Sequence, residues 1–205
     1  MGEENRNIGS LEVIAGCMSS GKSEELIRRL KRATIAKQPV IVFKPGIDNR
    51  GEKLAISSRD GRLYDAIPLN DVNEVFDHLG ETHKIVAFDE AQFFPMELID
   101  VVRKLVSQNL RVLAAGLDTD FRGEPFGIVP QLMAEADSVT KLNAVCMKCG
   151  APAIRTQRFI AGQPAPYESP RIVVGGDEMY EARCRACHEV PLACILPQDR
   201  KAFSS

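Results

Sequence analysis

Residues 16–23 read Gly-Cys-Met-Ser-Ser-Gly-Lys-Ser and match the pattern GxxxxGK[ST]. An apolar segment, Leu11–Ala15, precedes them, and a segment with apolar residues at helical spacing, Lys22–Lys37, follows. Strand, glycine turn and helix in this order form a loop whose backbone N–H groups surround phosphate oxygens. We therefore predict a nucleoside triphosphate site, with Lys22 bridging the β- and γ-phosphates and Ser23 ligating Mg²⁺. A chance match in a turn rich in Gly and Ser is the alternative, against which the flanking strand and helix argue.

Short apolar segments and helical patterns alternate along the rest of the first 145 residues. They predict strands at Val40–Phe43, Lys84–Phe88 and Leu110–Ala115, and helices at Asp71–Leu79 and Pro95–Ser107. The polar stretch from Lys44 to Arg62 is predicted to be a long loop. This alternation predicts an α/β fold of the P-loop, RecA-like type, in which a mostly parallel sheet carries helices on both faces. Ligands of such sheets bind beyond the carboxyl ends of the strands.

Two carboxylates, Asp89 and Glu90, follow the strand predicted at Lys84–Phe88. In a parallel sheet this strand end lies close to the phosphate loop, so Asp89 is predicted to hold Mg²⁺ directly or through water. Successive side chains of an extended backbone point in different directions, so Glu90 is free to face a second substrate and accept a proton from its hydroxyl group. The alternative is an ordinary acidic helix start. The phosphate loop makes the catalytic interpretation the stronger one.

Four of the six cysteines form two Cys-x-x-Cys pairs, and the ligand set consists of Cys146, Cys149, Cys184 and Cys187. Four thiolates in two such pairs are typical of a closed, tetrahedral, structural Zn²⁺ site. The 34 residues between the pairs exceed the usual ribbon spacing, which suggests that the intervening segment covers a substrate. Two disulfides or a redox dithiol are alternatives that a reducing compartment and the second pair disfavour. Cys17 is expected to pack in the phosphate loop, and His188 is an alternative metal ligand.

Composition and charge exclude several other classes of protein. The formal net charge of -2 argues against binding a nucleic-acid backbone, which requires an excess of basic residues. No apolar run approaches the roughly 20 residues that cross a bilayer, and Met1–Ser10 lacks the apolar centre of a signal peptide. We therefore expect a cytoplasmic protein that binds small molecules and neither nucleic acid nor membrane.

Five motifs occur in an order that closely resembles the type II, cytosolic class of thymidine kinase. They are the phosphate loop, the run DEAQFF at Asp89–Phe94, the segment Gly116–Phe126, the two cysteine pairs, and the segment Val174–Tyr180. The resemblance runs from about Leu11 to about Pro191. It implies transfer of the γ-phosphate of ATP to the 5′-hydroxyl of thymidine, with Mg²⁺ accompanying ATP and one structural Zn²⁺ per chain. It also implies a homotetramer that is inhibited by dTTP.

The resemblance also assigns roles to individual residues. ATP and Mg²⁺ would contact Gly16, Cys17, Met18, Ser19, Ser20, Gly21, Lys22, Ser23, Asp48, Asn49, Arg50, Asp89, Glu90, Ala91 and Gln92, with Glu90 as the catalytic proton acceptor. The deoxynucleoside would contact Phe121, Arg171, Ile172, Val173, Val174, Gly175 and Tyr180. Of these, Arg171 to Gly175 would belong to a lasso whose main-chain groups bind the base. Cys17 and Ser19 stand where relatives often carry Pro and Phe, and neither change removes a phosphate-binding group.

These patterns divide the chain into a flexible N-terminus, a P-loop ATP-binding domain, a zinc-ribbon domain carrying the lasso, and a C-terminal tail. The expected ranges are residues 1–10, 11–145, 146–192 and 193–205. Three other functions are alternatives: a nucleic-acid-dependent ATPase or helicase fragment, a deoxynucleoside kinase that is broader or accepts deoxyuridine, and a zinc-ribbon interaction module on an inactive ATPase fold. Length and charge argue against the first, and the presence of Lys22, Ser23, Asp89 and Glu90 argues against the third.

Overall fold

The computed structural model of the chain describes residues 9–46, 55–57, 63–172 and 180–192. Several of the sequence-based expectations lie outside these ranges. They concern Asp48, Asn49 and Arg50, the lasso residues Val173, Val174 and Gly175, residues 1–8 of the predicted N-terminus, and the predicted tail. Ser10, which was assigned to the flexible N-terminus, is the first residue of a strand.

Six parallel strands form the main sheet. In chain order the first eight strands are β1 (Ser10–Gly16), β2 (Val40–Pro45), β3 (Ala55–Ser57), β4 (Leu63–Asp65), β5 (Ile67–Leu69), β6 (Ile85–Phe88), β7 (Arg111–Gly116) and β8 (Ser138–Leu142). The sheet has the order β5-β2-β6-β7-β1-β8, while β3 and β4 form a separate antiparallel pair. The register sets Ala15 beside Gly116 and Phe88 beside Ala114. Strands β1, β6 and β7 therefore end at one edge of the sheet.

Helices cover both faces of this sheet, as predicted. They are α1 (Lys22–Ile35), α2 (Val75–His78), α3 (Leu98–Ser107) and α4 (Val129–Glu135), with 3-10 turns at Val72–Glu74 and Ala91–Phe93. Helix α1 packs Leu26 and Leu30 against one face, and α2, α3 and α4 pack against the other. Within the described ranges no helix has the length and apolar character needed to cross a bilayer.

The predicted fold class is confirmed, but three local predictions need correction. The expected loop Lys44–Arg62 contains β3, which pairs with β4 after the end of that range. The helix expected at Asp71–Leu79 is a 3-10 turn followed by the short α2, with the Asp71 side chain capping the turn through the Asn73 N–H. Helix α4 and strand β8 were missed, because α4 is short and β8 is a largely exposed edge strand.

A smaller, antiparallel region follows β8. Its strands are β9 (Ala144–Val145), β10 (Pro152–Ala153), β11 (Arg155–Ile160), β12 (Gln163–Pro164) and β13 (Tyr180–Arg183). Strand β9 pairs with β10, and β11 pairs with both β12 and β13. One cysteine pair directly follows β9 and the other directly follows β13. We refer to the described residues from Ala144 onward as the ribbon.

Leu30 and Ile35 offer a matched test of the packing of α1. Leu30 is fully buried against the sheet, whereas Ile35 at the end of the same helix is 82% exposed. We expect Leu30→Ala to lower the free energy of unfolding by about 2–5 kcal/mol, because it leaves a cavity between helix and sheet. Ile35→Ala should change it by less than about 0.5 kcal/mol. Urea unfolding measures both, and equal losses would show that α1 does not pack as described.

Candidate active site and metal centre

The loop at residues 16–23 lies between the end of β1 and the start of α1. A Cβ atom at Gly16 would lie 2.6 Å from the carbonyl oxygen of Leu142 and 2.7 Å from the Ser20 Oγ, so only glycine fits. Gly21 adopts a left-handed conformation with φ of 86° and precedes the first turn of α1. The hydroxyl of Ser20 is buried and has no hydrogen-bond partner among the described residues. A polar atom left unpaired beside a helix N-terminus fits an anionic ligand such as a phosphate.

Lys22 is folded back onto this loop. Its Nζ donates a hydrogen bond of 2.9 Å to the carbonyl oxygen of Cys17. Burial lowers the pKa of Lys22, and the negative charges of Glu90, Asp89 and Asp118 act in the opposite direction. The lysine therefore lies near three carboxylates that come from the ends of β6 and β7.

Asp89 follows β6 directly and is buried. Burial, and then the neighbouring charge of Glu90, raise its pKa to about 7, although Lys22 and Lys44 oppose the shift. A carboxylate that is costly to ionise when uncompensated is stabilised by a cation. Its oxygens and the Ser23 hydroxyl are the kind of ligand that Mg²⁺ prefers, so these residues fit the expected metal.

Glu90 is held in an unusual conformation next to Asp89. Its φ of 50° is left-handed, which is uncommon for a residue other than glycine, and its side chain reaches solvent. The amide of Gln92 donates to the Glu90 Oε2 at 2.5 Å, and the Gln92 Oε1 accepts from the Leu117 N–H at 2.9 Å. Gln92 thus ties the carboxylate to the chain that follows β7. The neighbouring Ala91 is fully buried in the core.

The segment after β7, residues 117–126, carries Phe121. Phe121 is 3% exposed, and the guanidinium groups of Arg122 and Arg158 each lie over its ring, 5.4 Å from the centroid. The Phe121 carbonyl oxygen accepts a hydrogen bond of 2.7 Å from the His188 Nε2. The ring that the resemblance sets against a base is therefore buried, with two arginine side chains over it.

Arg171 binds the same segment from the ribbon side. Its guanidinium pairs with Asp120 at 2.7 Å and with Glu124 at 2.8 Å, and the Tyr167 hydroxyl donates to Glu124 at 2.5 Å. The start of the expected lasso is thus fastened to the Phe121 segment by charge. Ile172, the next residue, is half exposed. Tyr180 begins β13, opposite Arg158 of β11.

The four cysteines of the ribbon converge. All four Sγ atoms lie within 4.8 Å of one another, and the Sγ atoms of Cys149 and Cys184 are 3.6 Å apart. Tetrahedral Zn²⁺ with bonds of about 2.3 Å requires S···S distances of about 3.8 Å, so the cluster fits structural zinc. Burial opposes ionisation of Cys146, but hydrogen bonds from the backbone at Cys184, Lys148 and Cys149 lower its pKa to about 6. Hydrogen bonds with Cys184 and Cys149 instead raise the pKa of Cys187 to about 12, so the clustered thiols ionise unequally.

The structure adds polar residues that the sequence analysis did not assign. Buried Asp118 pairs with Lys141 at 2.6 Å, and its other carboxylate oxygen lacks a hydrogen-bond partner in the part of the chain described. The Thr156 hydroxyl accepts from the Met18 N–H at 3.1 Å. Asp118 lies two residues after β7, and Asp89 lies directly after β6. An acidic residue after a buried strand is a signal from which the sequence could have assigned Asp118 to the site. Lys141 lies on β8, which was not predicted.

The pKa of Asp89 makes stability depend on pH. Because its folded value of about 7 exceeds the usual 3.8, the penalty for burying the charge is absent below about pH 4 and grows until pH 7. Without Mg²⁺ and nucleotide, we expect Asp89→Asn to stabilise the protein by about 2–4 kcal/mol at pH 8 and by clearly less at pH 5. Exposed Asp77→Asn is the control. Thermal unfolding at both pH values measures this, and a pH-independent difference would contradict the shift.

Comparison with known proteins agrees with the site. A family model described as thymidine kinase matches residues 9–188, which span the phosphate loop, the carboxylate pair and all four clustered cysteines. The match covers most of the chain and reaches the last cysteine pair of the ribbon. The resemblance noted from the five motifs is thereby confirmed. The chain belongs to the thymidine kinase family.

Proposed function

We propose that the chain is an ATP:thymidine 5′-phosphotransferase that produces dTMP and ADP for the salvage of DNA precursors. The proposal rests on the convergence of Lys22, Asp89 and Glu90 at one edge of the parallel sheet, where their charges interact. A phosphate-binding lysine and a carboxylate pair at such an edge are the groups that phosphoryl transfer requires. Family membership supports the assignment of the substrate.

On the ATP side, the loop at residues 16–23 would bind the phosphates through its backbone N–H groups and the start of α1. Lys22 would exchange its hydrogen bond with the Cys17 carbonyl for the β- and γ-phosphates. Asp89 and Ser23 would hold Mg²⁺, which supplies neutralisation of the phosphate charge. We also carry over Asp48, Asn49 and Arg50 as nucleotide contacts from the resemblance, and Ala91 and Gln92 as residues that complete the site.

Glu90 would act as the general base. As the 5′-oxygen of the nucleoside bonds to the γ-phosphorus, the proton of the 5′-hydroxyl group passes to the Glu90 carboxylate. The bond between the γ-phosphorus and its bridging oxygen breaks, and ADP leaves with that electron pair. The hydrogen bond from Gln92 orients the carboxylate for this step. Lys22 would stabilise the negative charge that develops on the β-phosphate of the departing ADP.

On the nucleoside side, the lasso Arg171 to Gly175 would bind the base through main-chain groups, with Phe121 against the ring and Tyr180 near the deoxyribose. The ion pairs of Arg171 with Asp120 and Glu124 support a fixed start for this lasso. For Phe121 to meet the base, Arg122 or Arg158 would have to move aside, because both guanidinium groups lie over the ring.

The remaining features of the proposal come from the resemblance. They are a structural Zn²⁺ held by the four clustered cysteines, a homotetramer in the cytoplasm, and inhibition by dTTP. We propose the same division of the chain as before, with a P-loop domain at residues 11–145 and a ribbon domain at residues 146–192. A closed four-thiolate site leaves no position for substrate, so the zinc would have no part in the chemistry.

Assaying substrates tests the proposed function directly. Purified protein with Mg²⁺ and ATP is offered thymidine, deoxyuridine, deoxycytidine, deoxyadenosine, deoxyguanosine and uridine, and ADP release is measured. We expect thymidine to be phosphorylated fastest, because main-chain groups of the lasso would match a pyrimidine base, and purines to be inert. Deoxyuridine measures how strictly the methyl group is required. A purine deoxynucleoside that matches thymidine would overturn the assignment.

Replacing Glu90 tests the role of the base. We expect Glu90→Gln to lower kcat by about 10²–10⁴-fold and to leave the affinity for a non-hydrolysable ATP analogue almost unchanged, because only the proton acceptor is lost. Exposed Glu97→Gln, seven residues further along the chain, is the matched control and should retain wild-type kcat. Steady-state kinetics and calorimetric titration provide the two measurements. A Glu90→Gln enzyme that keeps most of its kcat would remove Glu90 from this role.

A further inference from the structure

Cys17 lies in the phosphate loop, but its side chain packs in the ribbon. It is fully buried. It belongs to a buried cluster whose other members are all ribbon residues: Ala144, Cys146, Ala153 and Ala182. The Cys17 thiol donates to the Ala153 carbonyl oxygen at 3.4 Å. One of its neighbours, Cys146, is itself a member of the four-thiolate cluster.

The backbone of the same residue binds the lysine of the phosphate site. The Cys17 carbonyl oxygen accepts the hydrogen bond from the Lys22 Nζ at 2.9 Å. Cys17 therefore contacts the neighbourhood of the metal site through its side chain and Lys22 through its backbone.

Met18, the next residue, also joins the phosphate loop to the ribbon. The Met18 N–H donates to the Thr156 hydroxyl at 3.1 Å. Thr156 lies on β11 opposite Ala182 of β13, and Cys184 follows the end of that strand. The loop is thus bonded to β11, which pairs with the strand that leads to Cys184.

The position of these ribbon residues depends on the cluster. Strand β9 ends directly before Cys146, β13 ends directly before Cys184, and the Met147 N–H donates to the Ala182 carbonyl oxygen at 3.0 Å. The buried residues around Cys17 are alanines and cysteines, which bury little apolar area. So small a core needs the metal to keep its shape.

We propose that Cys17 is a positioning residue that couples the four-thiolate metal site to nucleotide binding at the phosphate loop. Metal in the ribbon holds Ala153 and Ala182, and these hold the Cys17 side chain. The anchored backbone of Cys17 and Met18 then keeps the phosphate loop in its binding shape after Lys22 has moved to the phosphates. The inference rests on the proposed ATP site. Since coupling free energies are reciprocal, nucleotide must retain zinc to the same degree that zinc strengthens nucleotide binding.

The reciprocal effect can be measured on the zinc-loaded protein. A zinc-selective chelating dye measures the equilibrium extent of zinc release with and without a saturating, non-hydrolysable ATP analogue and Mg²⁺. We expect the analogue to strengthen zinc binding at least fivefold in the wild-type chain. Cys17→Gly, which removes the side chain that contacts the ribbon, should lose this dependence and bind the analogue at least fivefold more weakly by calorimetry.

Met147→Ala is the matched control in the ribbon. Met147 lies between two of the clustered cysteines, but its side chain is 69% exposed and is absent from the group of residues packed around Cys17. This variant should retain the full effect of the analogue on zinc release. Loss of the effect in Met147→Ala would assign the coupling to general loosening of the ribbon and overturn the role of Cys17.

The outcomes separate the two proposals. If the wild-type chain does not bind the analogue, the proposed ATP site fails and the coupling fails with it. If the analogue binds but zinc release is unchanged, the coupling alone is overturned and the kinase proposal stands. The wild-type comparison decides this point even if Cys17→Gly fails to fold.

Discussion

The shared register of β1, β6 and β7 is the constraint on which the rest of the site depends. Because these parallel strands end together, the phosphate loop, Asp89 and Asp118 are brought to one edge from positions far apart in the sequence. Lys22 and Asp89 are consequently close enough to influence each other's pKa values. The same crowding leaves Asp89 with a charge that burial disfavours and that a cation would stabilise. The geometry of the sheet thus buries a carboxylate, Asp89, that a metal ion bound with a triphosphate would stabilise.

The parts of this arrangement that sequence could predict are those encoded in short, continuous segments. The succession of β1, glycine turn and α1 lies within one stretch, and Asp89 directly follows β6, so local pattern and the rule for parallel sheets were sufficient. The role of Gln92 as a bridge from Glu90 to Leu117 depends on a contact across 25 positions of the chain. The ion pair of Asp118 with Lys141 needs β8 to be present at the edge of the sheet, and β8 carries little apolar signal. Non-local contacts of this kind produce no periodic pattern in the sequence.

The ribbon is more closely joined to the nucleotide site than its separate sequence character indicates. Its strands supply the Thr156 hydroxyl to the backbone of the phosphate loop and enclose the Cys17 side chain, while His188 holds the Phe121 carbonyl oxygen. The ribbon therefore contacts the two segments that would hold the two substrates. A change in the internal order of the ribbon would therefore alter the binding of both proposed substrates.

The left-handed backbone at Glu90 determines which substitutions are favourable at position 90. An L-residue in this conformation costs about 1 kcal/mol or more that glycine would avoid, and the strain is maintained by the Gln92 contact and the turn that follows. Random substitution selected for thermal robustness alone would favour glycine here and discard the carboxylate. Under the proposed role of Glu90 as the base, an acidic side chain at position 90 gives up conformational ease for chemistry.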